Sequence, residues 1–240
     1  MRKHTPIIGW PRRDPRHYRF PLPNAVWEYK LKPIEFVILS YLCCQHSHGS
    51  TNLSPEMIAK SVHVTVGTVK KYLSSLVSRE LITDGWSLAP TFQNTDDRKF
   101  FTLPNEIFLL NLPPSAFMVY AYLLLIEDRR THTCHPSYNT IAAATGVTKN
   151  TAMKSIGGLL DVGLIAMEHS QYFDKRGMKW KGNNLYTILP TQVAVGQVHQ
   201  RQLDQLELDA ERRRVRKRRA RFAHDRLHAA RDRESPCFAL

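Results

Sequence analysis

The sequence has few cysteines and no long apolar run, and these two absences exclude several classes of protein. The four cysteines show no framework spacing: Cys43, Cys44, Cys134 and Cys237. We interpret them as reduced thiols of a cytoplasmic protein rather than as a disulfide scaffold. The longest apolar stretch, 117–126, has the length of a core helix and is too short to span a bilayer. No apolar segment follows the first three residues, so we expect neither a secretory signal nor a membrane partner.

The motifs of several enzyme classes are also missing. No glycine-rich loop ends in Lys-Ser or Lys-Thr, which excludes a P-loop ATPase. The segment His46-Ser47-His48 has the spacing of the paired metal histidines of rolling-circle nickases, but Gln45 and Gly49 place it in a polar loop. Nicking stays an alternative that a metal assay would test. Three zinc-type ligands, at positions 132, 134 and 135, lack the distant second pair of a structural zinc site. We expect no catalytic residue, no metal and no cofactor.

Acidic residues are scarce relative to basic ones, and the excess of positive charge lies at the two ends. The chain has 34 Lys and Arg against 21 Asp and Glu, a formal net charge of +13. Residues 1–19 hold six basic and one acidic residue, and 201–240 hold 12 basic and seven acidic residues, so each end carries +5. The body between them is nearly balanced. This distribution is typical of basic arms that neutralise phosphates beside domains that read bases.

Residues 147–159 have the pattern of the second helix of a helix-turn-helix, called the reading helix below. Thr148 is a good N-cap because its hydroxyl can accept a hydrogen bond from a free amide of the first turn. One apolar stripe consists of Ala152, Ile156 and Leu159. The other side carries Lys149, Asn150, Met153 and Lys154. A reading helix presents such N-terminal side chains to base edges in the major groove. A short helix over 137–144, with Gly146 in the turn, precedes it; an ordinary helical hairpin is the alternative.

The same pattern occurs 83 residues earlier, over 64–76. With that offset, ten of 29 positions are identical between 54–82 and 137–165. With an offset of 81, nine of 23 positions are identical between 20–42 and 101–123. Chance would give roughly one match in fifteen to twenty. The chain therefore contains an internal duplication, and a period of about eighty residues predicts two small domains rather than a solenoid.

The duplication predicts four segments. A Pro- and Arg-rich arm covers 1–17, with a terminus that has no partner as the alternative. Copy one covers 18–100 and copy two covers 101–190. A basic helical or disordered segment covers 191–240.

A β-hairpin is expected after each reading helix, which makes each copy a winged helix. In copy one we predict it over 86–92 and 99–103, with the last strand also serving as the entry strand of copy two. In copy two we predict it over 164–173 and 178–189. Its tip carries basic residues beside Trp180: Lys175, Arg176, Lys179 and Lys181. Such a tip enters a minor groove or lies along a backbone; a merely solvated hairpin is the alternative.

The C-terminal segment contains the densest positive charge of the chain. Eight of the ten residues of 212–221 are basic, and they occupy every face of a helix, which excludes an amphipathic membrane helix. Two interpretations remain open: a helix bound along or across DNA, or a disordered basic tail that orders on phosphates. The charge density favours contact with nucleic acid.

Four segments resemble the helix-turn-helix domain proteins carried by bacterial mobile elements: 101–108, 120–123, 134–138 and 184–188. These proteins are similar to the winged-helix part of plasmid replication initiators. The resemblance implies winged-helix folds, binding of duplex DNA and replication initiation, with transcriptional regulation of element genes as the alternative. It also implies replication or transcription machinery as a partner. Two features depart from the pattern: the pair Gly157-Gly158 inside the second reading helix, and Gly67 at a base-facing position of the first.

The sequence thus predicts an α+β, mainly α protein of tandem winged-helix domains with a basic C-terminal helix or tail. It would bind double-stranded DNA at the nucleoid of a bacterial cytoplasm without catalysis, in an oligomeric state that the sequence leaves open. RNA binding is a further option, but paired reading helices favour DNA because the deep, narrow groove of RNA excludes a helix. The DNA-binding residues predicted in copy one are Thr65, Val66, Gly67, Thr68, Lys70 and Lys71. Those predicted in the second reading helix are Thr148, Lys149, Asn150, Thr151, Met153 and Lys154. The wing contributes the four basic residues named above, and the C-terminal segment contributes Arg212, Arg213, Arg214, Arg216, Lys217 and Arg218.

Overall fold

The computed structural model describes residues 18–50, 53–93, 99–173 and 179–233. These residues are mostly helical, as predicted, with two small sheets. The helices are α1 Pro33–Ser47, α2 Pro55–Ser61, α3 Val66–Ser78, α4 Pro90–Gln93, α5 Pro114–Ile126, α6 Tyr138–Thr145, α7 Lys149–Val162 and α8 Thr191–Arg233. The strands are β1 Arg19–Pro23, β2 Phe100–Pro104, β3 Thr133–Cys134, β4 Ile165–Phe173 and β5 Lys179–Ile188. Short 3-10 helices cover Asn24–Trp27 and Asn105–Leu110.

Two compact units divide the chain, 1–195 and 196–240. The first contains both copies of the duplication, and the second contains most of α8. Within the first unit, α1 and α5 pack against each other, and α3 and α7 pack on α1 and α5 respectively. Helices α1 and α5 are buried on nearly every side. Helices that are apolar all round belong at the centre of a core, and these two form the centre of this one.

The two-stranded sheet joins the copies through equivalent residues. Strands β1 and β2 pair antiparallel, with Phe20 opposite Leu103, Leu22 opposite Phe101 and Pro21 opposite Thr102. At the offset of 81, Phe20 corresponds to Phe101 and Leu22 to Leu103. Each copy therefore offers the same strand to the other. Such reciprocal pairing is the mark of an isologous, two-fold interface.

Aromatic side chains repeat this two-fold relation in the core. The equivalent pairs are Phe20 and Phe101, Trp27 and Phe108, Phe36 and Phe117, and Tyr41 and Tyr122. The ring centroids of Phe20 and Phe108 are 6.0 Å apart, and those of the equivalent rings Phe101 and Trp27 are 6.2 Å apart. The ring centroids of Tyr41 and Phe108 are 5.2 Å apart, and those of the equivalent rings Tyr122 and Trp27 are 5.7 Å apart.

Phe36 and Phe117 lie near the approximate two-fold axis that relates the copies, and their ring centroids are 6.2 Å apart. Each aromatic pair adds about 0.5–1.5 kcal/mol beyond the burial of its surface. We call the eight residues of these equivalent pairs the aromatic cluster. The two copies are thus packed as a dimer would be, within one chain.

The second sheet belongs to copy two and has the strand order β3-β5-β4. Strands β4 and β5 form the predicted hairpin, pairing antiparallel from Ile165 opposite Ile188 to Phe173 opposite Lys179. Its turn, 174–178, lies outside the described residues. Copy two therefore has the element order of a winged helix from α5 to β5.

The hairpin predicted for copy one is wrong over 86–92. Ile82 and Leu88 form a single antiparallel bridge there, and the chain then enters the short helix α4 at Pro90. Proline fixes a backbone angle suited to the first residue of a helix and has no amide to donate to a sheet. Strand β2, expected to close this hairpin, pairs with β1 instead. Within the described part of copy one, no two-stranded wing is present.

The 3-10 helix Asn24–Trp27 has no side-chain cap, and Asn24 instead donates its backbone amide to the carbonyl oxygen of Lys99 at 2.9 Å. The C-terminal segment is a single helix, α8, to Arg233. The arm predicted over 1–17 lies outside the described residues.

Candidate nucleic-acid interface

Both reading helices begin with the same capping arrangement. The Thr65 hydroxyl accepts a hydrogen bond from the Thr68 amide at 3.2 Å and lies 2.8 Å from the Thr68 hydroxyl. In copy two, Thr148 and Thr151 show the same distances. The N-caps predicted at the start of α3 and α7 are thus confirmed. The two hydroxyls of each pair already bond each other, and together with the capped amide they determine where each reading helix begins.

Serine side chains cap the helices that precede the reading helices. The Ser54 hydroxyl accepts from the Met57 amide at 3.2 Å, with Pro55 as the first residue of α2. The Ser137 hydroxyl accepts from the Thr140 amide at 3.1 Å at the start of α6. Gly146, in the turn to α7, has a φ of +67°, a left-handed conformation that glycine adopts without strain.

The inner face of each reading helix is the predicted apolar stripe. In α7 the relative exposures of Ala152, Ile156 and Leu159 are 0%, 1% and 0%. The corresponding residues of α3 are equally buried: Val69, Leu73 and Leu76. Burial of these stripes fixes the rotation of each helix about its own axis. It thereby decides which residues face solvent.

The outer face of α7 carries the predicted contact residues. Lys149, Asn150 and Lys154 are exposed, and Met153 keeps 46% of its surface accessible. An exposed methionine beside two lysines is suited to contact with the methyl group of thymine. Thr148 is exposed at the cap, and Thr151 is half-buried against it.

The outer face of α3 is chemically different, because the offset of 83 places other residues at the same positions. Gly67 stands where α7 has Asn150, and Lys70 stands where it has Met153. Thr65, Gly67, Lys70 and Lys71 are exposed, whereas Val66 and Thr68 are half-buried. The Lys71 ammonium lies 5.7 Å from the ring centroid of Tyr72, a cation–π distance that restricts this long side chain. The outer faces of α3 and α7 therefore present different side chains at equivalent positions.

The helix that precedes each reading helix is also exposed to solvent in its first turn, which the sequence analysis missed. Asn139 and Thr140 are exposed in the first turn of α6, and copy one has Glu56 and Met57 there. In helix-turn-helix modules this helix crosses the DNA backbone. A backbone hydrogen bond and the Ser54 hydroxyl hold the pKa of the Glu56 carboxyl below its usual range. An anion therefore stands where copy two has a neutral amide, so copy two is better suited to contact phosphates.

The remaining predicted residues lie on the wing and on α8. Lys175 and Arg176 are outside the described residues, and of Lys179 and Lys181 the structure describes only the backbone, in β5. Six predicted basic residues of α8 are exposed: Arg212, Arg213, Arg214, Arg216, Lys217 and Arg218. Arg212 lies 3.6 Å from Asp209 and Arg214 lies 3.9 Å from Glu211. Exposed pairs of this kind contribute little and leave the arginines able to exchange partners.

One histidine of the pair that resembles a nickase motif, His48, has a structural role. Position 48 caps the C-terminus of α1, so the motif is not in a polar loop as predicted. The His48 Nδ1 atom lies 2.6 Å from the carbonyl oxygen of Cys44, and its Nε2 atom lies 3.1 Å from the amide nitrogen of Asn105. Both ring nitrogens are therefore engaged. His48 links copy one to copy two.

The cysteines of the described residues are protected thiols. Cys43, Cys44 and Cys134 are buried and form no disulfide. Burial raises the pKa of Cys44 and of Cys134 to about 12 and raises that of Cys43 further. A thiol with so high a pKa is not a nucleophile at neutral pH. In the described ranges, no group of three or more His, Cys, Asp or Glu side chains is placed to hold a metal ion.

Comparison with known proteins identifies one domain. Residues 110–165 match the family model described as "Helix-turn-helix domain", which spans α5, β3, α6 and α7 and ends at the first residue of β4. The chain thus contains a helix-turn-helix, a DNA-binding module, where the sequence predicted one. No curated protein sequence matches the chain.

Among solved structures, the chain is similar to a protein titled "Possible transcriptional regulator" from Methanosarcina mazei Go1. The identity is 16%, the TM-score is 0.32, and the match covers 46% of this chain and 88% of that protein. No helix in the described ranges is both long enough and apolar enough to cross a membrane.

Proposed function

We propose that the chain is a sequence-specific binder of double-stranded DNA that reads two adjacent half-sites, one with α3 and one with α7, through two helix-turn-helix modules of which the second is a winged helix. The observation that supports this most is the two-fold packing of the copies. Simple repressors dimerise in order to place two reading helices on one face of DNA. Here the aromatic cluster and the β1–β2 pair join the two modules in one chain.

The two-fold relation between the copies also determines how the two half-sites are oriented relative to each other. Helix α3 packs on α1, α7 packs on α5, and α1 packs on α5, so the axis that relates the copies relates the reading helices as well. Duplex DNA has two-fold axes perpendicular to its length. A protein axis aligned with one of them brings the two helices to half-sites of inverted orientation. The base sequences of the half-sites differ, because Gly67 and Asn150 occupy the same position in the two copies.

Regulation of transcription is the biological role we propose, with replication initiation as a second candidate. A helix-turn-helix domain is common to both. The two-fold packing of the copies, which matches the arrangement of simple dimeric repressors, favours the first candidate. The presence of two modules in one chain resembles the arrangement of replication initiators and supports the second. Selection of bound duplexes from a random pool tests the proposal. A single inverted site in a promoter would support regulation, clustered repeats would support initiation, and the absence of any enriched duplex would contradict DNA reading.

Substitution of Asn150 by alanine should relax the preference at one base pair. A side-chain amide can form two hydrogen bonds to adenine in the major groove, and Asn150 is exposed at the start of α7. We expect a loss of about 1–3 kcal/mol on the preferred duplex and little change on a duplex altered at that position. Lys71→Ala is the contrast, since a phosphate contact should weaken all duplexes equally. An unchanged selected motif for Asn150→Ala would exclude this role.

Removal of residues 210–240 should make DNA binding less sensitive to salt. Each phosphate contact releases counterions, so the logarithm of the binding constant falls with the logarithm of salt concentration by about one unit of slope per contact. The deletion removes the exposed basic cluster of 212–219, and the preferred sequence should stay the same. Binding titrations at several salt concentrations measure the slope. If the slope were unchanged, α8 would not contact phosphates.

A further inference from the structure

The glycines of the reading helices have no structural role that the fold explains. The helices in the described ranges contain four glycines: Gly67, Gly157, Gly158 and Gly196. Three of them lie in α3 and α7. None of the three has a positive φ, and a Cβ atom added at any of them would meet no atom within 4 Å beyond its chain neighbours and the adjacent backbone of its own helix.

Apart from proline, glycine is the least favourable residue within a helix. Alanine would therefore suit the free protein better in the interior of α7. The pair Gly157-Gly158 departs from what helix stability alone would favour.

Gly157 and Gly158 point to different sides of α7. Gly157 is half-buried, as Gly158 is, but it follows the exposed Asn150 by seven residues and the exposed Met153 by four, so helical spacing places it on the same side of α7 as these two residues. Gly158 is one residue further and points about 100° away, because an α-helix has 3.6 residues per turn. It follows the exposed Lys154 by four residues and the half-buried Thr151 by seven, which places it at the edge of this face rather than at its centre. In α3, Gly67 occupies the position of Asn150 and is exposed. One glycine in each reading helix thus lies on the face that carries the predicted contacts.

We infer that duplex DNA comes into van der Waals contact with the helix backbone at Gly157 in α7 and at Gly67 in α3, so that these glycines set how each helix lies in its groove. The inference rests on the function proposed above. Glycine is the residue that permits close approach of a backbone to a ligand.

The contact lies in the third turn of α7 and in the first turn of α3. The side chain of Asn150 holds the first turn of α7 away from the bases, whereas Gly67 lets that turn of α3 approach. The two helices therefore enter their grooves at different tilts.

Three alanine variants of the full chain test this: Gly157→Ala, Gly67→Ala and the matched control Gly158→Ala. Both variants of α7 should raise the midpoint of thermal unfolding by about 2–4 °C, since alanine favours the helix. Gly157→Ala and Gly67→Ala should each weaken binding to the selected duplex by about tenfold, because an added methyl group enters a packed contact. Gly158→Ala should bind as the unchanged chain does.

Opposite signs of the two effects separate a contact from a folding defect. A Gly157→Ala variant that is more stable and binds less tightly supports the inference. It is overturned if Gly157→Ala binds as tightly as the unchanged chain. It is also overturned if Gly158→Ala loses as much affinity, because helix flexibility rather than contact would then be responsible. If the unchanged chain selects no duplex at all, the proposed function itself fails.

Discussion

A duplex that carries both half-sites in direct orientation should bind the chain about 10²–10⁴-fold more weakly than the duplex that carries them inverted. When both reading helices engage, the second contact forms without a new diffusional encounter, and the affinity of the whole exceeds that of either module. The two-fold packing of α1 on α5 and of β1 on β2 fixes the orientation of α3 relative to α7. Turning one half-site leaves only one helix able to bind.

The measurement is a titration of the full chain against three duplexes that differ only in arrangement. The first has inverted half-sites with centres about one helical turn apart, the second has one half-site reversed, and the third has one half-site scrambled. We expect the second and third to bind equally weakly, and the first to be bound by a single chain. Equal affinity for all three would mean that one helix reads DNA and that the other copy is a scaffold.

DNA variants test this better than fragments of the protein. A cut between the copies would separate β1 from β2 and would divide the aromatic cluster, in which Trp27 contacts Phe101 and Tyr122. Each fragment would then expose apolar surface that is buried in the chain. A loss of DNA binding by a fragment would report the loss of its fold as much as the loss of a second contact.

Features set by neighbouring residues could be predicted from the sequence. The N-caps Ser54, Thr65, Ser137 and Thr148 each bond an amide three residues away. The stripe of Ala152, Ile156 and Leu159 depends only on helical periodicity. The hairpin of β4 and β5 follows from the polar turn between two predicted strands of similar length. All of these are local, and the structure has them where the sequence placed them.

Features set by distant residues could not be predicted in the same way. Leu88 and Phe92 suggested a strand, but Pro90 begins a helix between them, and local pattern does not decide between the two. Strand β2 has its partner about 80 residues away, which no local pattern encodes. The duplication did contain a signal: its identical residues include Phe20, Phe36 and Tyr41, all in the aromatic cluster. Identity between the copies could have been interpreted as a shared interface.

Substitution of Phe101 by alanine should cost about 3–5 kcal/mol of the free energy of unfolding, the usual cost of replacing a buried phenylalanine. Phe101 is 2% exposed, lies in β2 and contacts the ring of Trp27 from the other copy. Its removal leaves a cavity at the junction of the two copies. The chain offers a matched control in Phe100, the preceding residue of the same strand, which is 44% exposed.

Phe100→Ala makes the same change of strand propensity without opening the core, so its cost should stay near 0.5 kcal/mol. Denaturant unfolding of both variants, compared at the same protein concentration, gives the two values. A variant weakened at the junction should also discriminate less between inverted and direct half-sites, because the two reading helices are no longer held in one orientation. If Phe101→Ala lowered the free energy of unfolding no more than Phe100→Ala does, the aromatic cluster would not be what joins the copies. The fixed relative orientation of the two half-sites would then lose its physical basis.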